Sequence, residues 1–156
     1  MLDLTSLIGT WRGEGKGEFP TIEPFRFDEI WQVTGRGDSG LVHYEQQTTI
    51  IPEGRPSHWE SGFLIQEQDE DLQWTFADNS GRFGVFTQTH FAERGGNAWD
   101  LHMTTVQTHN DARVIALTRK LSFHGNHIHY KLFMAATTTT QPGALRHLTV
   151  DLYRQP

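Results

Sequence analysis

An all-β fold is predicted for this chain: about ten antiparallel strands closed into an up-and-down barrel, with a β-sandwich as the alternative. Three observations predict it. Between Gly9 and Ile22, Trp11, Gly13, Gly15 and Gly17 recur at every second position, while Arg12, Glu14, Lys16 and Glu18 fill the alternate ones. A period of two is the signature of a strand. Alternating segments bounded by turn residues then repeat at roughly 8–12-residue spacing. Helical periodicity is almost absent, apart from one short turn around residues 2–7. Closing on itself is the simplest way for such a run to avoid exposed strand edges.

The opening strand has one charged face and one face nearly stripped of side chains. Glycine weakens a strand, so its repetition on one face implies close approach of a ligand or of backbone, as in the wall of a barrel around a cavity. The plainer alternative is a strand bent sharply over a neighbouring sheet. Strands follow at residues 25–33 and 41–51, separated by Thr34-Gly-Arg-Gly-Asp-Ser-Gly40. The Pro52-Glu-Gly-Arg-Pro56 turn leads into 58–66, and segments 72–76 and 83–91 flank the turn signal Asp78-Asn-Ser-Gly81. Segments 99–107 and 113–123 are divided at His109-Asn-Asp111. His124-Gly-Asn-His127 closes a hairpin into 128–137, and 145–154 is the last strand. The acidic run 67–71 reads as a solvated connection, and Thr137 to Thr140 as a short β-forming run.

No linker or low-complexity tail divides the 156 residues, so one domain spanning 1–156 is expected. A net charge of −6 argues against a general nucleic-acid partner, which would require a basic face. The absence of cysteine excludes a disulfide framework and thiolate metal sites, and fits a reducing cytoplasm. No signal-peptide pattern is present at the start, and no segment approaches the ~18 apolar residues of a membrane helix. The expectation is a soluble cytoplasmic protein with no membrane partner.

The run Gly9-Thr-Trp-Arg-Gly-Glu-Gly-Lys-Gly-Glu-Phe-Pro-Thr-Ile22 resembles the opening motif of the nitrobindins, a family of small haem-binding β-barrels. The family pattern is Gly-x-Trp-x-Gly-x-Gly-x-Gly-x-Tyr-Pro-Thr-Ile/Leu, and this chain departs from it at Phe19. The segment from Phe133 to Tyr153 is similar to the nitrobindin ending, a Met-Ala-x-Thr-Thr-Gln-Pro loop before a strand carrying histidine followed by leucine. That resemblance makes His147 the proximal axial ligand of haem iron, although the loop from Met134 is a few residues longer than the family spacing. Gly54-Arg-Pro-Ser-His-Trp-Glu-Ser-Gly-Phe63 is similar to the family segment whose histidine lies on the distal side of the haem. It implies a distal role for His58, with Ser57 in place of the usual methionine. By the same resemblance Thr21 contacts the haem.

Periodicity by itself places these residues less firmly. His147 alternates with Leu145, Thr149, Asp151 and Tyr153, while Leu148, Val150 and Leu152 take the other face. If the apolar set lines the cavity, His147 points outward. Either a bulge after Pro142-Gly143 resets the register, or the apolar face is covered by another element or subunit. If His147 points inward instead, that apolar face is available as a homodimer interface. Met134 shares an inward stripe with Ile128, Tyr130, Leu132 and Ala136, as a core residue or a haem contact. Thr21 by pattern is only a strand-end hydroxyl.

Other chemistry finds little support. His127 and His129 share a strand face, as in zinc sites, but lie opposite Tyr130 and Leu132 and lack an evident third ligand. Ser39, Ser57, Ser61, Ser80 and Ser122 have no nucleophile-elbow context. Gly13 to Gly17 is neither a P-loop nor a dinucleotide fingerprint, because no helix follows. A pair of carboxylates for glycoside chemistry cannot be picked by strand periodicity.

The resemblance, running from Leu7 to Arg154, implies a ten-stranded barrel of the fatty-acid-binding-protein type with one haem b near its open end. It further implies a ferric protein that binds nitric oxide reversibly and isomerises peroxynitrite to nitrate, its partners being haem and small reactive nitrogen species. The rival reading is a carrier of a fatty acid or similar apolar ligand with no chemistry. A surface-acting interaction module is expected only if Phe and Trp side chains fill the cavity.

Overall fold

The computed structural model describes residues 2–37, 40–68, 70–140 and 143–156. Ten strands form: β1 (Gly9–Phe19), β2 (Ile22–Gly35), β3 (Leu41–Ile51), β4 (Arg55–Ile65), β5 (Gln73–Asp78), β6 (Phe83–Gly95), β7 (Ala98–His109), β8 (Val114–His124), β9 (His127–Ala136) and β10 (Leu145–Arg154). Each is antiparallel to its chain neighbour, and β1 pairs with both β2 and β10 to close the barrel. Closure excludes the sandwich. The bounds fall within a few residues of those expected; β2 and β4 start earlier because Pro24 and Pro56 sit within extended chain. β6 and β7 run on to a tight hairpin whose Gly95, Gly96 and Asn97 have positive φ.

The opening strand holds to its predicted phase, with Trp11, Gly15, Gly17 and Phe19 buried and Arg12, Lys16 and Glu18 exposed. The partners that approach the glycines are specific. A Cβ at Gly13 would fall 1.7 Å from the Asp151 carbonyl oxygen, so there the approach is backbone. At Gly15 it would meet the Phe27 ring at 2.3 Å, and at Gly17 the Phe25 ring at 2.1 Å. Two phenyl rings from β2 therefore fold back against the glycine wall.

One end of the barrel is plugged. A 3-10 turn, Leu4–Leu7, is capped by Asp3 and buries Leu4 and Leu7 together with Leu2. Trp11 Nε1 donates to the Leu7 carbonyl at 2.9 Å, and the Arg154 guanidinium lies 4.1 Å over the Trp11 ring. Trp99 and Phe123 stack at 4.8 Å in the same apolar layer, with Trp11 edge-on to Phe123 at 6.0 Å. Farther along the interior comes a layer in which Trp31, Tyr44, Trp74 and Tyr130 enclose the buried polar groups Glu29, Gln46, Glu60 and Arg119. The opposite end, where the β1–β2, β5–β6, β7–β8 and β9–β10 connections gather, is open. No described helix is long and apolar enough to cross a membrane.

Candidate functional site

At the open end lies a cavity of about 610 Å³, lined by Thr21, Phe25, Leu132, Met134, His147 and the rim residues Arg82 and Arg113. Beneath it is a smaller chamber of about 170 Å³ bordered by His58, Gln46, Glu60, Arg119 and Tyr130. Phe25, Arg82, Leu117, Leu132 and His147 line both. The upper walls are mostly apolar and the floor is polar. Aromatic side chains fill only the lower half of the barrel, so the condition for an interaction module is not met.

His147 reaches this cavity because β10 breaks register. Arg146 pairs with Phe133 and Leu148 with Leu132, which leaves His147 as the extra residue of a β-bulge. Both His147 and Leu148 consequently face inward, and Val150 and Leu152 beyond them are fully buried. A bulge is one of the two devices expected, but it sits at His147; Pro142, where the expected bend begins, lies outside the described residues. The apolar face of β10 is core. The homodimer interface expected on Leu148, Val150 and Leu152 is therefore overturned, since the bulge removes the choice between an inward histidine and an inward apolar set.

His147 Nδ1 is 3.2 Å from the Glu18 carbonyl oxygen, and Phe19 packs edge-on to the ring at 5.5 Å. A ring N–H can only donate to a carbonyl, so Nδ1 carries the proton and Nε2 keeps its lone pair. Burial holds the imidazole below its ordinary pKa, with Arg82 and His58 acting in the same direction against the Glu18 hydrogen bond. His147 is thus a neutral, oriented imidazole at the cavity wall, the form a transition metal takes.

Thr21, in the β1–β2 turn, and half-buried Met134, on β9, line the same cavity. His58 comes from β4, across the barrel: its backbone N–H donates to Thr48 Oγ1 at 2.9 Å, and its Nε2 is 3.1 Å from Glu60 Oε2. Thr21 and Met134 thus line the upper cavity and His58 the chamber beneath it, with His147 bordering both. Gly9, Trp11 and Gly13 belong instead to the closed end and the β1–β10 seam, while Gly15 and Gly17 reach the cavity walls through Phe27 and Phe25.

Sequence reasoning missed the polar floor and the charged rim. Glu60 accepts from Arg119 Nη2 at 2.5 Å and from the Tyr44 hydroxyl at 2.6 Å. Burial alone would raise its pKa, but Arg119, His58 and Tyr44 bring it down to about 2. Glu29 accepts from the Tyr130 hydroxyl at 2.6 and 2.8 Å and from Trp31 Nε1. Burial pushes it up to about 7, against the opposing pull of the Tyr130 and Trp31 hydrogen bonds and the charges of His58 and Arg119. Both carboxylates were legible: Glu29 interrupts the inward set of Phe27, Trp31 and Val33, as Glu60 does that of Gly62 and Leu64. At the rim Arg82 pairs with Asp78 at 3.1 Å and Asp111 at 3.8 Å.

A metal ion held by side chains alone fits poorly. Among the described residues, the one cluster of potential ligands lying within 4.8 Å of one another is His58, Glu60 and Asp78. A cation there would have to displace Arg119 from Glu60 and Arg82 from Asp78. His127 and His129 face outward, both hydrogen-bonded to Asp151 Oδ1, at 2.8 and 2.9 Å.

A haem suits the space better: an apolar slot for the macrocycle, a free imidazole nitrogen on its wall, and two guanidinium groups at the mouth for its carboxylates. Comparison with known proteins points the same way. Residues 1–154 match the family described as THAP4-like, heme-binding beta-barrel domain. The chain belongs to this family, the nitrobindins. This nitrobindin-family chain is 34% identical over 134 residues to peroxynitrite isomerase 2 of Mycobacterium marinum, covering 85% of this chain and 83% of the relative. It is 33% identical over 155 residues to peroxynitrite isomerase 1 of Mycolicibacterium paratuberculosis, covering 97% and 92%. The crystal structure of Rv2717c from M. tuberculosis superposes with a TM-score of 0.87 at 29% identity, over 98% of this chain and 95% of that one.

Proposed function

We propose that the open-end cavity takes one haem b, with His147 Nε2 on the iron, and that the loaded protein isomerises peroxynitrite to nitrate and binds nitric oxide reversibly from the ferric state. The observation that carries this reading is His147 itself, bulged toward the cavity, neutral, and tethered through Nδ1 so that Nε2 is free. The names of the mycobacterial relatives supply the reaction. When bound, haem would supply a Lewis-acidic, redox-active iron.

The chain's own residues do the rest. The Glu18 carbonyl and the Phe19 ring fix the plane of His147, so its Nε2 would be presented to the iron in one orientation. Phe25, Leu117, Leu132 and Met134 line the cavity with apolar surface and would exclude water from a bound macrocycle. Arg82 and Arg113 offer charge to its carboxylates at the rim, where Asp78 and Asp111 hold the two guanidinium groups in place. His58, oriented by Glu60 and bordering the lower chamber, would serve as the hydrogen-bonding group for a small anion bound there. The absence of cysteine favours a reducing cytoplasm as the compartment.

The test is a hemin titration of the purified apoprotein followed by absorbance, beside His147→Ala. The expected outcome is one-to-one saturation with a sharp Soret band that the substitution shifts or abolishes, followed by accelerated peroxynitrite decay in stopped flow. Weak, non-saturating spectra identical in both proteins would sink the haem reading and leave the apolar-carrier reading in front.

A further inference from the structure

The polar layer beneath the cavity contains a phenol with its own base. Among the described residues, Tyr130 is the one tyrosine that borders the lower chamber, which it shares with His147. Its hydroxyl hydrogen-bonds to both oxygens of Glu29, at 2.6 and 2.8 Å. The Trp31 ring lies 5.3 Å from the Tyr130 ring at an interplanar angle of 34°, and its Nε1 donates to the same carboxylate. All three side chains are buried. The proposed haem chemistry gives this arrangement no task.

We propose that Tyr130, with Glu29 as its proton acceptor, is an internal one-electron donor to haem in this barrel, and that Trp31 is its reserve. The inference rests on the haem reading. The oxidant is a peroxide: peroxynitrite or hydrogen peroxide whose O–O bond has been cleaved at the iron and whose other fragment has escaped, leaving the cofactor oxidised. One electron then leaves Tyr130 for the cofactor, which falls by one oxidation level. The phenol O–H breaks and its proton passes to Glu29, so Tyr130 becomes a neutral phenoxyl radical and Glu29 a neutral carboxylic acid. The reducing equivalent comes from the protein and needs no further reactant.

Two comparisons within the same layer single out this pair. Tyr44 is also buried and also bonded to a carboxylate, but its acceptor Glu60 is ion-paired with Arg119 and is the weaker base. Among the described residues Glu29 has no ion-pair partner, and burial brings it up to about 7, where it can take up a proton near neutrality. Trp74 touches Trp31 at 5.9 Å, yet the Arg119 guanidinium lies 4.5 Å over its ring. A fixed positive charge there opposes a cation radical, so the hole stops at Tyr130 and Trp31 rather than passing deeper. The third tyrosine, Tyr153, is on the outer surface.

The experiment mixes hemin-loaded protein with hydrogen peroxide, freeze-quenches it, and reads the protein radical by electron paramagnetic resonance. Protein carrying ring-deuterated tyrosine or ring-deuterated tryptophan is compared with Tyr130→Phe and Tyr44→Phe. Expected is a radical whose lines narrow with the tyrosine label, lost or replaced by a tryptophan-type signal in Tyr130→Phe and retained in Tyr44→Phe. The labelled wild-type protein needs no substitution to fold. A radical that ignores the tyrosine label, persists unchanged in Tyr130→Phe, or never forms in protein with a normal His147-dependent Soret band overturns the donor role alone. Absence of that Soret band overturns the haem reading and the donor role with it.

Discussion

Glu29 and Glu60 show what environment does to one side-chain type. Both are buried carboxylates facing the same interior, yet one is brought to about 7 and the other to about 2, because Arg119 is ion-paired directly with the second and acts on the first only weakly. Glu29 binds its proton more tightly folded than unfolded, so its contribution to stability is complete below about pH 4.5 and is lost as pH rises through about 7. The size is on the order of 3 kcal/mol for a shift of that extent. Glu60 acts in the opposite sense, its contribution present above about pH 4.5 and lost as pH falls toward 2. The groups facing Glu29 are Tyr130, Trp31, His58 and Arg119. Glu29→Gln should therefore flatten the decline of stability between pH 5 and 8, as urea unfolding at a series of pH values would show. An unchanged slope would mean that Glu29 is ionised throughout that range.

At the scale of the element, β1 and β10 carry the two local irregularities that make the site. Glycine at 15 and 17 lets Phe27 and Phe25 lie against the wall, which keeps the space above them clear. Gly17→Ala should push the Phe25 ring toward the cavity, cost about 1–3 kcal/mol by overpacking, and weaken hemin uptake. Hemin affinity equal to wild type would show that Phe25 yields in another direction. Gly13 answers to a different constraint: a Cβ there would strike β10 backbone, so its substitution should disturb the seam that closes the barrel. The bulge at His147 is the counterpart on β10, turning one residue inward without reversing the apolar set that follows.

The whole molecule separates stability from ligand binding by placing them at opposite ends. The Leu2, Leu4 and Leu7 plug seals the Trp11 layer, whereas His147, Met134 and Thr21 surround the open mouth. Leu4→Ala should cost about 2–5 kcal/mol by leaving a cavity in the plug. Thermal melting should register the loss while hemin stoichiometry stays at one per chain; a change in stoichiometry would show that the two ends are coupled. Between the ends, the Tyr44, Glu60, Arg119 and Glu29, Tyr130 contacts tie β2, β3, β4, β8 and β9 across the interior.

The sequence by itself determined what depends on neighbours two positions away. Alternation placed the strands, turn residues placed their ends, and the Gly-x-Trp motif with the closing histidine strand was specific enough to name the family. It also placed Met134 on the inward stripe of β9. What it could not decide was the direction of His147, because a bulge is a register choice made between β9 and β10 rather than within either. Whether Leu148, Val150 and Leu152 formed core or interface depended on the same choice. Nor did it decide what fills the glycine wall, since the Phe25 and Phe27 rings reach it from another strand. The inward charges Glu29 and Glu60 were visible as breaks in an apolar alternation, but their opposite protonation was not. That depends on where Arg119, 59 residues away along the chain from Glu60, comes to rest when the barrel closes.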